Sequence, residues 1–426
     1  MLAALSFEFR LALLFVIGAV TASFLNLATY RLAWHQRSIS PWSKAPPGAA
    51  PRTWLDCVPI FGWLPLRREA AIHGPGFWIR PLLVELAAGI GLAALYWWEV
   101  DQAALLPPAG SPLLASLTFP VAVTWEVLTA GFISHALLLA LMLVATLIDF
   151  DEKTIPDGIT VPGTLIGLAL ATVWPWSLLP GGTVDVASKG RVLEPLHVAT
   201  PNAWPLDWLA AGSGPSLAIA LGCYALWCFW LLPRVWYGRY GFARATRYFL
   251  ATIVRNLGTR IVLGMWLIGS AAIVAARFAG DARWAGLMTS LVGLVVAGGI
   301  VWTVRLIGQW VLRREAMGFG DVTLMAMIGT FLGWQPAILV FFLAPMVGLV
   351  FGVVNLLIKS ESEIPYGPFL CGAALTILVY WSPIWQEASR YFSMGLWIPA
   401  VLGVCLLAMI VLLQALQLVK AIFDRR

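Results

Sequence analysis

The tetrapeptide GFGD, Gly318 to Asp321, sets a carboxylate behind two glycines at the mouth of an apolar run, 322–334. Working outward, the rest of the chain is as apolar as that run. Of 426 residues 60% are hydrophobic and 11% charged, against roughly 25% charged in a soluble domain. The mean hydropathy is +0.85. Such a chain is predicted to be an all-α, polytopic membrane helix bundle, in which the bilayer dictates how segments pack. Runs long enough for a membrane helix of about 20 residues lie near 11–33, 81–98, 129–148, 158–174, 215–232, 261–278, 285–304, 336–357 and 395–417. Two shorter candidates, 322–334 and 370–382, bring the expectation to about eleven spans. Of the 23 tryptophans, Trp97, Trp98, Trp174, Trp176 and Trp334 fall at predicted span ends, where indoles anchor at the interface.

Lysine and arginine orient the bundle. The loop after the first span carries Arg37, Lys44, Arg52, Arg67, Arg68 and Arg80, whereas 99–128 holds Glu99, Asp101 and Glu126 and no base. The positive-inside rule puts the first loop in the cytoplasm, with the N-terminus outside and the C-terminus cytoplasmic. Alternation then makes 233–260 cytoplasmic, and that stretch holds Arg234, Arg239, Arg244, Arg247, Arg255 and Arg260 without an acid. The net charge of +6 therefore reflects topology, and no nucleic-acid partner is expected. The partner implied by composition is the lipid bilayer.

Metal and thiol chemistry find little support. Cys57, Cys223, Cys228, Cys371 and Cys405 form no CxxC pair, and His35, His73, His135 and His197 fit no ligand spacing, so no metal site is expected. Two acidic sites remain. In LIDFDEKTIPDGITVPG, residues 147–163, Asp149 ends the third span, and Asp151 and Glu152 read as solvated loop charges. Asp157 before Gly158 reads as a helix N-cap. The second site is Asp321. Four spans separate Asp149 from Asp321, an even number, so both lie on the cytoplasmic side and can pair. Ionisable groups at membrane depth are candidates for function, and glycines 318 and 320 let another backbone approach beside Asp321. Two close carboxylates do not both ionise easily, which suits acid and base roles on one substrate. Asn26, four residues before Tyr30 on one helical face, reads either as an interhelical hydrogen bond or as a substrate-facing group. A transporter or channel with Asp149 and Asp321 as an ion or proton site is the alternative. It predicts paired repeats, and none is visible.

The blocks ASFLNLATYRL, DCVPIFGWL, RPLLVEL, LIDFDEKTIPD, MGFGDVTL and IPYGPFL follow one another in the chain. In this order they resemble bacterial prepilin peptidases, the type IV leader peptidases among the GxGD aspartic membrane proteases. The resemblance covers residues 20–90, 130–175 and 310–375. It implies that Asp149 and Asp321 are catalytic, and that Gly318, Phe319, Gly320, Pro365, Tyr366, Gly367, Pro368 and Asn26 shape the site. It also implies removal of a short basic leader from prepilins or type II secretion pseudopilins at the cytoplasmic face of the bacterial inner membrane. Proteolysis would need no cofactor; S-adenosylmethionine would serve if the new N-terminus is also methylated. Two departures stand out. Many members carry two CxxC pairs in the first cytoplasmic loop, where this chain keeps only Cys57, and the interval between the aspartates holds four spans instead of two. The expected organisation is a first span at 1–33, a cytoplasmic loop at 34–80, a peptidase core at 81–175 and 305–426, and an extended region at 176–304 with an inserted helical pair.

Overall fold

The computed structural model describes residues 5–106, 121–186, 190–202, 205–232, 255–313, 317–358, 365–395 and 397–423. The chain enters as α1 (Phe7–Leu32), whose start is capped by the Ser6 hydroxyl accepting the N–H of Phe9. After a loop of short turns come α2 (Ile79–Tyr96), α3 (Val121–Glu152) and α4 (Asp157–Val173). An antiparallel hairpin follows, β1 (Pro180–Val186) and β2 (Gly190–Pro195). Then come α5 (Gly214–Trp230), α6 (Leu257–Ala276), α7 (Asp281–Leu312), α8 (Phe319–Leu332) and α9 (Trp334–Ile358). The last elements are α10 (Gly367–Val379), α11 (Trp381–Phe392) and α12 (Trp397–Phe423).

Among the described residues seven helices are long and apolar enough to cross a membrane, and α10 with α11, bent by 95°, makes a possible eighth. Three shorter apolar helices, α4, α5 and α8, coincide with further expected spans. The protein is a polytopic membrane helix bundle. Of the arginine-rich stretch expected at 233–260, Arg234, Arg239, Arg244 and Arg247 lie outside the described residues.

The centre of the bundle is α8, buried at every position from Asp321 to Leu332. Small residues admit its neighbours. On α4, Gly163 faces Met327, and Gly167 faces Thr330 and Phe331. Gly293 on α7 and Gly329 on α8 bring two backbones together so closely that a Cβ on either would strike the other's carbonyl, the small-residue packing that membrane helices use. The Ser290 hydroxyl adds a bond to the Thr330 carbonyl at 2.7 Å. Outside this layer α5 and α6 pair through the Tyr224 hydroxyl, which donates to the Met265 carbonyl at 2.9 Å. Trp230 of α5 rests on Gly298 and lies 5.8 Å from the Trp302 ring.

The hairpin departs from an all-α chain. PGGTVDV and GRVLEP lack the alternation that announces a strand, so their pairing rests on what covers them. Trp381 Nε1 donates to the Pro180 carbonyl at 2.9 Å and Trp385 Nε1 to Gly181 at 2.8 Å. Beyond the strands, Trp334 Nε1 reaches Val198 at 3.0 Å, and Gln335 Nε2 reaches the carbonyls of His197 at 2.8 Å and Thr200 at 3.2 Å. Trp334, expected only as an interfacial anchor, thus ties this segment to the bundle. The tilt at Tyr380 that splits the expected span 370–382 brings Trp381 and Trp385 to the hairpin.

Removing one such indole donor strands a buried carbonyl. Trp381→Phe and Trp385→Phe are each expected to lower stability by about 1–3 kcal/mol, read as a fall in the thermal unfolding midpoint of detergent-solubilised protein.

Candidate active site

Asp149 stands one turn before the end of α3, which runs on to Glu152. Lys153 then takes a left-handed φ of 54°, and Pro156 caps α4. That tight return carries Thr154 and Ile155 to the mouth of α8, whose N-cap is Gly318 and whose first turn holds Asp321. Both carboxylates are buried, Asp149 4% and Asp321 7% exposed, and near enough for their charges to interact. They line one cavity of about 650 Å³ with the end of α1 (Leu32 to Trp34, and Gln36), the return Lys153–Asp157, and Gly318 to Gly320.

A third segment closes on Asp149. The backbone N–H of Gly367, at the start of α10, donates to Asp149 Oδ2 at 3.1 Å. A Cβ at Gly367 would stand 2.5 Å from that oxygen and 2.9 Å from Ile155 Cδ1. On the other side of Ile155, a Cβ at Gly320 would stand 2.8 Å from Ile155 Cβ. One isoleucine therefore fills the space that two glycines leave.

Of the residues expected to shape the site, Gly318, Phe319 and Gly320 line the cavity and Gly367 touches Asp149. Pro365, Tyr366 and Pro368 flank Gly367 without lining the cavity; Tyr366 packs its ring edge-on to Phe369 at 6.2 Å. Asn26 is elsewhere. It is 2% exposed, donates to the Pro81 carbonyl at 3.0 Å and to Glu85 Oε1 at 3.5 Å, and joins α1 to α2. Asp151 and Glu152 are not solvated loop charges, because α3 extends through both. Asp151 takes both oxygens to Arg80 Nη1, at 2.6 and 2.7 Å. Glu152 accepts the N–H groups of Trp34 at 2.6 Å and His35 at 2.7 Å, fixing the cavity wall after α1. Asp157 is not the expected cap, since Pro156 holds that position and no side chain caps the helix; Asp157 instead lines the cavity.

Three residues escaped the sequence reading. Ile155 is a single apolar residue in a polar return, with no periodicity to mark it. Arg80 was counted only as a topological charge. Arg305, just past the end of the expected span 285–304, is only 4% exposed. A buried base beside a span end is a signal that could have been used.

A helix bundle of this kind, with two carboxylates converging on a cavity at one end of its helices, defines a membrane protein with an acidic site at the helix ends. Comparison makes this more particular. A model of the type IV leader peptidase family matches residues 250–353, which include Asp321 but not Asp149, and one of the bacterial peptidase A24 N-terminal domain matches residues 16–99. Over these stretches, less than half of its length, the chain is similar to the type IV leader peptidase family. It is similar to proteins named prepilin leader peptidase/N-methyltransferase. The one from Aeromonas salmonicida is 31% identical over 111 residues, 23% of this chain and 38% of that protein. The Stutzerimonas stutzeri protein is 39% identical over 100 residues, 23% and 35% of the two chains. The Myxococcus xanthus protein is 30% identical over 161 residues, 37% and 39%. The matched stretch thus spans less than half the length of each of these relatives. No solved structure matches the chain.

The first loop does not fit the zinc that paired cysteines would hold. Cys57 is its one thiol, and its Sγ lies 3.8 Å from the Pro41 carbonyl. No three potential ligands gather among the described residues. Charges cross-link the loop. Arg68 forks onto Asp56, Nη1 to Oδ1 at 2.9 Å and Nη2 to Oδ2 at 2.6 Å, while the Thr53 N–H adds a bond at 2.7 Å. Arg52 Nη2 holds Glu69 Oε2 at 2.9 Å.

The Arg68 hydrogen bonds hold the Asp56 carboxyl below its ordinary value, against the opposing effect of burial. A depressed folded value stabilises the fold above the unfolded value and ceases to do so as pH falls through the folded one. Arg68→Met is therefore expected to raise the rate of limited proteolysis of this loop at neutral pH. The difference from wild type should shrink as the pH drops below the usual carboxylate range.

Proposed function

We propose that the protein is an aspartic endopeptidase that removes the basic leader from type IV prepilins or type II secretion pseudopilins at the cytoplasmic face of a bacterial inner membrane. The observation that carries this is the meeting of Asp149 and Asp321 on one cavity. In this reading the ends of α3 and α8 that carry the aspartates face the cytoplasm, with the N-terminus outside and about eleven crossings. One carboxyl, protonated, polarises the scissile carbonyl, and the other takes a proton from the attacking water. The tetrahedral intermediate then collapses as the amine leaves with a proton from the carboxyl pair. No covalent intermediate forms and no metal takes part in this scheme. A cavity of about 650 Å³ admits a few residues of an extended peptide. Its wall at Gly318 carries no side chain, so the peptide backbone can approach Asp321 closely. Methylation of the new N-terminus with S-adenosylmethionine is a second activity of the relatives by their names, and belongs to the proposal only as a companion to cleavage.

Cleavage of a prepilin in membranes containing this protein tests the reading. Asp149→Asn and Asp321→Asn are each expected to lower cleavage at least about 100-fold, whereas Asp157→Asn keeps most of it. Strong cleavage by either of the first two variants refutes the assignment. Gly320→Ala and Gly367→Ala, which force Ile155 or Asp149 aside, should each lose at least about tenfold. Gly318→Ala meets only Asp321 Oδ2, at 3.4 Å, and should lose less than either.

A further inference from the structure

Each aspartate stands on a helix end, where backbone groups lack intrahelical partners and the last turn frays. The two carboxylates also repel each other when both are charged. Something must hold their backbones in register, and on both sides the partner is a guanidinium from a helix that carries neither aspartate. Arg80, in the first turn of α2, donates Nη1 to both Asp151 oxygens at 2.6 and 2.7 Å and Nη2 to the Leu147 carbonyl at 2.9 Å. Leu147 and Asp151 bracket Asp149, two residues away on either side. Arg305, near the end of α7, donates Nε to the Met317 carbonyl at 2.9 Å. Its guanidinium lies 5.7 Å from the Phe319 ring centre, and its charge reaches Asp321. Met317 and Phe319 bracket Gly318, the N-cap of the helix that bears Asp321.

We propose that Arg80 and Arg305 are the positioning residues of the aspartate pair, each bridging a backbone carbonyl and a side chain across one carboxylate's helix end. Neither lines the cavity, so neither touches substrate. They act through geometry: the planar fork fixes two directions at once, which a lysine ammonium does not. Misplacement of a reacting group by about 1 Å costs on the order of 100-fold in rate, so loss of a clamp appears in kcat and leaves KM alone.

The kinetic arm of the test rests on the peptidase reading; the distance arm does not. With the five native cysteines replaced by serine or alanine, the Asp149→Cys, Asp321→Cys protein in membranes is treated with a short bifunctional thiol reagent. Cross-linking is then compared with and without Arg80→Met or Arg305→Met. Either arginine variant is expected to slow cross-linking at least about fivefold while insertion and expression hold. In the chain with both aspartates, Arg80→Met and Arg305→Met should lower kcat for prepilin cleavage about 10- to 100-fold with KM within about twofold. Arg80→Lys and Arg305→Lys should recover part of it. Asp151→Asn, which leaves the Leu147 bond in place, should lose less than Arg80→Met. Arg390→Met, which removes an exposed ion pair with Glu387, should change neither readout. Cross-linking that is absent in the parent, or unaffected by both arginine variants, overturns the proposal whatever happens to cleavage. Slowed cross-linking in a parent that cleaves no prepilin supports the clamp and refutes the peptidase reading instead.

Discussion

The hydrogen bond from the Gly367 N–H to Asp149 Oδ2 joins the end of α3 to the start of α10, and the rest of the site is arranged around it. It forms only because residue 367 has no side chain, and the space a Cβ would take is shared between the carboxylate and Ile155. Ile155 in turn leans on Gly320, which begins the helix that carries the second carboxylate. Asp149, Ile155, Gly320 and Gly367 therefore form one steric unit drawn from three chain segments. Enlarging any member moves a carboxylate. The glycine of GFGD that faces Ile155 is fixed by packing, whereas Gly318 borders open cavity.

Among the described residues four helices lie in the chain between the two aspartates, yet they do not lie between them in space. Two of them, α4 and α7, pack directly on α8 through glycines, and these complete the interior layer. The other two, α5 and α6, pair with each other through Tyr224 and rest on the outer side of α7 through Trp230. The hairpin before them is held from the bundle side by indole donors, which explains how a strand pair persists against a helical core. Its carbonyls at Pro180 and Gly181 are met by side chains whose only polar group is a donor.

The helices were legible because a membrane span imposes length and uniform apolarity, both visible without tertiary information. Asp149 and Asp321 were legible for the converse reason, as rare charges at the ends of such runs. What the sequence hid was whatever depends on partners. The strands carry no alternation of their own and are assembled by Trp381 and Trp385, which look like ordinary interfacial residues. Asp151 and Glu152 read as loop charges because the end of α3 falls beyond the apolar run, and the helix continues on ion pairs and backbone donors instead of on hydrophobicity. Asn26 offered two readings, and only the neighbouring Pro81 carbonyl and Glu85 distinguish them. Asp157 failed as a cap because Pro156 supplies the extended conformation that the capping position needs, with φ −71° and ψ 136°, and pushes the aspartate one position into the helix.

Charges elsewhere follow the rule that a buried ion needs its partner built in. Glu99 and His135, the latter buried near the middle of α3, meet at 2.9 Å. Glu85, fully buried, receives the Ile60 N–H at 2.6 Å and so ties the first loop to α2. In that loop the basic residues that the positive-inside rule counts are the same ones that hold it together. Arg52 binds Glu69, Arg67 lies 3.8 Å from the Trp78 ring centre, Arg68 binds Asp56 and Arg80 binds Asp151. Orientation and cohesion thus draw on one set of guanidiniums, which makes each of them harder to replace than a topological count suggests. Lysine would preserve the positive-inside signal and still fail at Asp56, and between Asp151 and the Leu147 carbonyl, where two donors must be presented in a plane. A loop cross-linked this way depends on carboxylate ionisation where a thiolate cluster would depend on metal. That leaves its stability sensitive to pH and salt at the membrane surface.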